Sequence, residues 1–116
     1  MYRISKRMEI AGAHQLCLPY ESKCQNVHGH NWIVVVTCCS NYLTEYGMIV
    51  DFKKVKDTIQ NKLDHAFINE IVDFNPTAEN MARWICEQVN ELCEVGYCSK
   101  VSVQESEGNI AEYIEM

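Results

Sequence analysis

The chain has 116 residues, of which 47% are apolar, and its formal net charge is −6. This length and composition predict one globular domain spanning residues 1–116. The acidic balance argues against nucleic acid or an anionic membrane as a partner, because both require a basic patch. No apolar run approaches the ~20 residues that span a bilayer, and nothing resembles a signal peptide, so we expect a cytoplasmic protein.

The first predicted elements are two strands. Tyr2 to His14 alternates between apolar and polar positions, and His14 shares the parity of the apolar ones. After a polar loop, His28 to Cys39 forms the second strand. Its centre, Trp32 to Val36, is apolar without alternation, which indicates burial on both faces. Two helices cannot cover both faces of a sheet, so this strand predicts contacts between subunits.

Two amphipathic helices are predicted next. Phe52, Val55, Ile59 and Leu63 recur at helical spacing and form the apolar stripe of the first helix. The second helix begins near Pro76, since proline favours the first helical position. Its buried face is expected to contain Ala78, Met81, Ala82, Ile85, Val89 and Leu92.

Two C-terminal strands, Lys100 to Glu105 and Ile110 to Glu115, complete the chain. The order β-β-α-α-β-β predicts an α+β fold, a four-stranded antiparallel sheet with two helices on one face. The seven cysteines are odd in number and include no Cys-x-x-Cys pair, so reduced thiols are favoured over a disulfide framework. Most are expected to act as small buried hydrophobic residues.

Three of the four histidines are arranged like a metal site. His28 and His30 are two apart at the start of a strand, so their imidazoles point to the same face. His14 completes a three-histidine set if the first two strands pair. Three protein ligands and one open position are the pattern of catalytic zinc. The alternative is that His28-Gly29-His30 is a turn and His14 an ordinary, partly buried residue.

Cys24 is a second candidate, because it lies in polar surroundings four residues before His28. The neighbouring Lys23 and a nearby zinc ion would lower the pKa of its thiol, which suits a general base or nucleophile. A fourth zinc ligand and an inert loop cysteine remain alternatives. Lys23 is also a local cation for any phosphate group on a substrate.

Two further positions carry groups that suit proton transfer or ligand binding. Asp64 precedes His65, a pair that suits a proton relay, although a charge pair at a helix C-terminus is equally consistent. Glu105 shares parity with Val101 and Val103, so its carboxylate should lie on an apolar face. There it needs a partner, such as two N–H groups of a ligand. The alternative is that the strand ends at Gln104 and Glu105 is solvated.

These positions fall within six motifs that occur in one order along nearly the whole chain. The chain resembles the 6-pyruvoyltetrahydropterin synthase and 6-carboxytetrahydropterin synthase family. The three-residue spacing between Cys24 and His28 resembles the bacterial and archaeal queuosine-pathway enzymes. The motifs are Ala13-His14-x-Leu16, Cys24-x3-His28-Gly29-His30, Gly47-Met48-Ile49-Val50-Asp51-Phe52, Leu63-Asp64-His65-x-x-Ile68-Asn69, Pro76-Thr77-x-Glu79-Asn80 and Val103-x-Glu105.

The resemblance implies roles for these residues. The three histidines would hold Zn²⁺, Cys24 would accept a proton, and His65 and Glu105 would serve in the relay with Asp64 supporting His65. Glu105 would also anchor the pterin ring, with Thr77 and Glu79 lining the pocket. The family's tunnelling fold implies trimers or hexamers whose subunits close a β-barrel and form sites between them.

The implied activity is that of a zinc-dependent lyase in queuosine biosynthesis. Such an enzyme converts 7,8-dihydroneopterin triphosphate to 6-carboxy-5,6,7,8-tetrahydropterin, acetaldehyde and triphosphate. The nearest alternative is the 6-pyruvoyltetrahydropterin synthase reaction, in which triphosphate is eliminated without carbon–carbon cleavage. A non-catalytic zinc and pterin binder is a second alternative. A plain zinc hydrolase is a third, disfavoured because no glutamate adjoins the His-x-His pair.

Overall fold

The computed structural model describes residues 1–116 and consists of one mixed sheet with helices on one face. It confirms the predicted α+β class. Two strands lie before the helices and two after them, with one short strand between the helical segments. The elements are β1 Tyr2–His14, β2 His28–Ser40, α1 Phe52–Val55, α2 Asn61–Leu63, β3 Ala66–Phe67, α3 Ala78–Asn90, β4 Tyr97–Ser106 and β5 Asn109–Ile114.

The sheet order is β3-β1-β2-β4-β5, so the prediction of four strands was one strand short. β3 pairs in parallel with β1 at Gly12 and Ala13, whereas all other neighbours are antiparallel. A two-residue strand shows no alternation of its own, which is why the pattern did not reveal it. β1 and β2 pair along their whole length, from Tyr2 opposite Ser40 to His14 opposite His28.

The core lies between one face of the sheet and the helices. On β2, Trp32, Val34 and Val36 are almost fully buried, whereas Ile33 and Val35 on the other face are half-buried. Two helical segments cover only one face of the sheet, as the sequence led us to expect. The opposite face therefore retains a partly exposed apolar strip along the centre of β2.

The first predicted helix, residues 52–63, is continuous but contains a π-helical stretch, Lys56–Gln60, between α1 and α2. Asp51 begins it by accepting a hydrogen bond from the Lys53 N–H at 2.8 Å. Val55, Ile59 and Leu63 are buried as predicted. Phe52 is 48% exposed, so its place in the buried stripe was wrong; it stands in the first turn, where the chain has just left the core.

α3 begins one residue after Thr77, whose hydroxyl caps it by accepting the Asn80 N–H at 3.1 Å. Pro76 precedes this cap rather than occupying the first helical position. The predicted buried face is confirmed except at Leu92, which lies beyond the end of the helix and is partly buried. Cys93 also lies past the helix, in the turn before β4.

No helix in the structure has the length and apolar character that crossing a membrane requires.

Candidate metal centre and active site

The three histidines meet because β1 and β2 pair in the register that places His14 directly opposite His28. His30 is opposite Gly12, so all three imidazoles project from the helix-covered face of the sheet. Their ring centroids lie 4.4 Å (His14–His28), 5.2 Å (His14–His30) and 4.8 Å (His28–His30) apart. The condition set by the sequence, pairing of the first two strands, is therefore met.

Two backbone carbonyls orient the imidazoles. His14 Nδ1 lies 2.8 Å from the Pro76 carbonyl oxygen, and His28 Nδ1 lies 2.7 Å from that of Asn26. Because a carbonyl only accepts hydrogen bonds, each Nδ1 carries the proton and each Nε2 keeps its lone pair. This is the usual way in which ligand histidines are oriented toward a metal. Every residue has a backbone carbonyl, so these two contacts could not be predicted from residue types.

Glu105 joins the histidine cluster on the same face. Its Oε1 lies 2.8 Å from His30 Nε2 and 3.4 Å from His14 Nε2, and its side chain is 24% exposed. β4 extends through Ser106, so the alternative of a strand ending at Gln104 with a solvated Glu105 is wrong. Parity predicted the face correctly, but not that the imidazoles would be the carboxylate's neighbours.

The residues fit a divalent metal ion. One donor atom from each of His14, His28, His30 and Glu105 can be chosen so that all four lie within 4.8 Å of one another. The Nε2 atoms of His14 and His30 are buried, and neither makes a directed hydrogen bond. Leaving such groups unsatisfied costs about 1–3 kcal/mol each, and a coordinated cation would remove that cost. Burial also lowers the pKa of His14, which favours the neutral, ligand-competent imidazole.

Cys24 lies on a short 3₁₀ turn, Lys23–Gln25, in the loop between His14 at the end of β1 and His28 at the start of β2. Its carbonyl accepts the Leu16 N–H at 2.9 Å, which ties the loop to the end of β1 two residues beyond His14. The Ser22 hydroxyl accepts the Cys24 N–H at 3.1 Å. The Cys24 side chain is half-buried and Lys23 is exposed, so both can be reached from solvent.

Asp64 and His65 lie at the edge of the sheet beside β1, immediately before β3. Asp64 Oδ1 accepts the Ala11 N–H at 2.9 Å, and its Oδ2 lies 3.7 Å from His65 Nε2. His65 has a φ of 58° and its side chain is 84% exposed. It borders a cavity of about 550 Å³ whose lining includes residues that alternate with the ligand histidines along β1 and β2. These are Ala11, Ala13, Gly29 and Asn31.

His30 also lines this cavity, so one chain brings His65 to a space that the histidine cluster shares. The positive φ of His65 is a conformation that non-glycine residues adopt at some energetic cost, and such strain is concentrated at functional positions. Its backbone N–H also donates to the Ala11 carbonyl at 2.6 Å. The role of His65 in a proton relay stays a prediction.

Glu79 and Glu105 share a second cavity of about 420 Å³, next to the turn that joins β4 to β5. Thr77 is not part of its lining; its hydroxyl is half-buried and caps α3 instead. This cavity places the Glu105 carboxylate between the histidine cluster and an open, polar space. The structure thus brings together two of the three residues expected to line a ligand pocket.

Comparison with known proteins gives one consistent result. The sequence model described as 6-pyruvoyl tetrahydropterin synthase matches residues 3–115. A Synechocystis protein named 6-carboxy-5,6,7,8-tetrahydropterin synthase is 34% identical, with 97% of this chain and 93% of the relative covered. The human protein named 6-pyruvoyl tetrahydrobiopterin synthase is 32% identical, with 96% and 90% covered.

The fold is also found among solved structures. The 6-pyruvoyl tetrahydropterin synthase of Caenorhabditis elegans superposes with a TM-score of 0.77 at 24% identity, covering 99% of this chain and 96% of the other. At that identity the likeness concerns the fold alone.

Proposed function

Since the chain belongs to the 6-pyruvoyl tetrahydropterin synthase family, we propose that it is a zinc-dependent lyase acting on 7,8-dihydroneopterin triphosphate. The proposed products are 6-carboxy-5,6,7,8-tetrahydropterin, acetaldehyde and triphosphate, formed in the cytoplasm for queuosine biosynthesis. Relatives that carry the 6-carboxytetrahydropterin synthase name, at 27% and 34% identity over 97% of this chain, support this branch.

The observation that carries the proposal is the convergence of three imidazoles and the Glu105 carboxylate on one point, with the buried Nε2 atoms of His14 and His30 turned toward it. His14, His28 and His30 would hold the zinc ion, since neutral imidazoles suit zinc and the carbonyls behind His14 and His28 fix their orientation. When bound, zinc supplies Lewis acidity toward the side-chain oxygens of the substrate. The remaining chemistry belongs to residues of the chain.

Cys24 is the proposed proton acceptor. Its half-buried thiol sits on a turn whose backbone is hydrogen-bonded to Leu16, two residues after His14. Lys23, exposed on the same turn, is proposed to meet the triphosphate. A local cation is needed because the chain as a whole carries a charge of −6.

Glu105 is proposed to bind the pterin ring. Its carboxylate lies beside His30 and borders the cavity that it shares with Glu79. A ring held there by paired N–H groups would direct its side chain toward the metal, which supplies the positioning that catalysis needs. Thr77 would contribute through its place at the start of α3, by holding the Pro76 segment against His14.

His65 is proposed to relay protons in a site formed between two subunits, with Asp64 supporting its imidazole. The His65 side chain is 84% exposed and borders an open cavity that His30 also lines, which favours completion of the site by a second subunit. Half-buried Ile33 and Val35 on the uncovered sheet face, and Ile110 and Ile114 exposed on edge strand β5, favour association of subunits. We propose a trimer or hexamer in which the sheets close a barrel.

Mass spectrometry of products tests the assignment. Purified protein is incubated with 7,8-dihydroneopterin triphosphate as isolated, after removal of zinc by a chelator, and after zinc is restored. We expect 6-carboxytetrahydropterin and acetaldehyde in the first and third reactions but not in the second.

Two other outcomes would redirect the assignment. The human relative at 32% identity favours the pyruvoyl reaction as the second candidate; a pyruvoyl product without acetaldehyde would establish it. Zinc-loaded protein that binds the pterin, as measured by calorimetry, without turnover would indicate the non-catalytic binder.

A further inference from the structure

Four cysteines cluster at the end of the sheet away from the histidines. Cys38 on β2 is opposite Cys98 on β4, and Cys86 on α3 places its Sγ 3.4 Å from the Cys98 carbonyl oxygen. Cys93 Sγ lies 3.9 Å from Cys38 Sγ. The ten residues of β2 that separate His28 from Cys38 span about 33 Å, so this cluster is separate from the metal centre.

The four thiols differ sharply in their access to solvent. Cys38, Cys86 and Cys98 are at most 1% exposed, whereas Cys93 is only partly buried. Cys93 belongs to the turn between α3 and β4, where its N–H donates to the Asn90 carbonyl at 3.2 Å. A small oxidant from solvent can therefore reach Cys93 first, and Cys38 is its nearest sulfur neighbour.

The backbone of this turn is held tightly against the end of β2. Gly96 has a φ of +66°, and a Cβ placed on it would lie 2.0 Å from the Cys39 carbonyl oxygen. This close approach keeps the turn next to the strand that carries Cys38. Shortening the Sγ–Sγ distance from 3.9 Å to the roughly 2.05 Å of a disulfide requires a movement of about 2 Å, which side-chain rotation at Cys93 can largely supply.

The pKa is lowered for both thiols that contact Cys38, to about 7 for Cys98, but of the two only Cys93 is open to solvent. A hydrogen bond between the thiols lowers the pKa of Cys93, despite its partial burial, and raises that of Cys38. The thiolate is the form that reacts with oxidants. Cys93 is therefore the residue suited to attack the oxidant, and Cys38 is placed to resolve the product because its sulfur lies 3.9 Å from that of Cys93.

We propose that Cys93 and Cys38 form a reversible redox pair that closes to an intramolecular disulfide on exposure to hydrogen peroxide. The Cys93 thiolate attacks one peroxide oxygen, which breaks the O–O bond and, with one proton, gives a sulfenic acid and water. The Cys38 sulfur then attacks the Cys93 sulfur, its proton leaves with the hydroxyl group as a second water, and the S–S bond forms.

Two thiols and one peroxide thus yield one disulfide and two waters, with two electrons passing from sulfur to oxygen. A thiol such as glutathione reverses the step by exchange. The bond would join residues 55 apart in the chain and fasten the turn after α3 to the end of β2. A crosslink of this span should raise the thermal midpoint by about 5 °C or more, provided that little strain is introduced.

Peptide mapping after mild peroxide treatment tests the pair. The zinc-loaded protein is treated with one equivalent of hydrogen peroxide, free thiols are alkylated, and the protein is cut at glutamate. Glu91 and Glu94 flank Cys93, so its peptide contains no other cysteine. We expect this peptide crosslinked to the one that contains Cys38, and its release by a thiol reductant.

Variants identify the partners. Cys93→Ser and Cys38→Ala should each abolish the crosslink, whereas Cys39→Ser, which leaves the adjacent Cys38 in place, should retain it. Cys93 is only partly buried, so Cys93→Ser remains informative if Cys38→Ala does not fold. Alkylated or sulfinic Cys93 without a crosslink, or a crosslink from Cys93 to Cys98, would overturn the proposal.

Discussion

A cluster of side chains that can bind metals or react lies at each end of β2. The two clusters differ in how their polar atoms are hydrogen-bonded. At the histidine end, formed by His14, His28, His30 and Glu105, two buried nitrogens lack a directed hydrogen bond. At the cysteine end, formed by Cys38, Cys86, Cys93 and Cys98, the sulfurs contact one another and nearby carbonyls.

The difference follows from polarity. A thiol is a weak donor and behaves almost as a hydrophobic group, so burying four of them costs little and packs the core. Burying an imidazole nitrogen without a hydrogen-bond partner costs free energy of folding. Two such nitrogens in one cluster therefore indicate a functional role. Buried imidazole nitrogens without a directed hydrogen bond therefore indicate a ligand, whereas clustering of cysteines by itself does not.

Replacing a histidine ligand should have the largest effect. Loss of a residue that only orients a metal ligand lowers metal affinity by up to roughly 100-fold. We expect His28→Ala, which removes a ligand itself, to lower zinc affinity by more than this and to abolish turnover. His28 is partly exposed at the strand end, so the fold should persist. Zinc content after gel filtration measures this effect, with Cys86→Ala at the other end as the matched control; zinc retained by His28→Ala would exclude His28 as a ligand.

Cys24→Ala separates proton transfer from metal binding. If the thiol is the proton acceptor, turnover should fall by about 10²- to 10⁴-fold while zinc content stays at the wild-type value. The readout is the rate of product formation at saturating substrate, together with zinc analysis of the same sample. Full activity would contradict the role proposed for the thiol, and loss of zinc would identify Cys24 as a further ligand.

Gly96→Ala probes the backbone packing of the cysteine end. The new Cβ would collide with the Cys39 carbonyl, and the positive φ adds strain, so we expect a loss of about 2–4 kcal/mol in the free energy of unfolding. Gly108→Ala is the matched control, because Gly108 has a φ of +81° but no atom within 4 Å; it should cost about 1 kcal/mol. Urea denaturation of both variants measures this contrast, and equal losses would mean that backbone strain alone matters.

Asn90→Ala should have the smallest effect. The Asn90 Oδ1 accepts the Cys98 N–H at 2.7 Å, and its Nδ2 lies 3.6 Å from Cys86 Sγ. Leaving the partly buried N–H unsatisfied should cost about 1–2 kcal/mol. Asn61→Ala, which removes an exposed bond to Asp57, should change stability by less than about 0.5 kcal/mol. A thermal-unfolding series gives both values, and the interpretation fails if the two variants are equally stable.

Much of the site was predictable because strands obey a simple period. Parity placed His14, His28 and His30 on one face, and the same rule placed Glu105 with Val101 and Val103. The resemblance of six ordered motifs to one family added the fold, which the structural comparison confirmed. Short or irregular features were missed: the two-residue strand β3 and the π-helical stretch have too few residues to establish a period.

The sequence by itself determined the strands, the second helix, the family and the set of candidate ligands, because all of these depend on local periodicity or on residue identity. Only the tertiary structure decided that two backbone carbonyls orient His14 and His28, that Glu105 touches His30, and that His65 lies at the sheet edge beside β1. It also brought Cys93 from beyond α3 to the buried Cys38. Each of these depends on contacts between residues distant in the chain, which the folded sheet creates and no local pattern encodes.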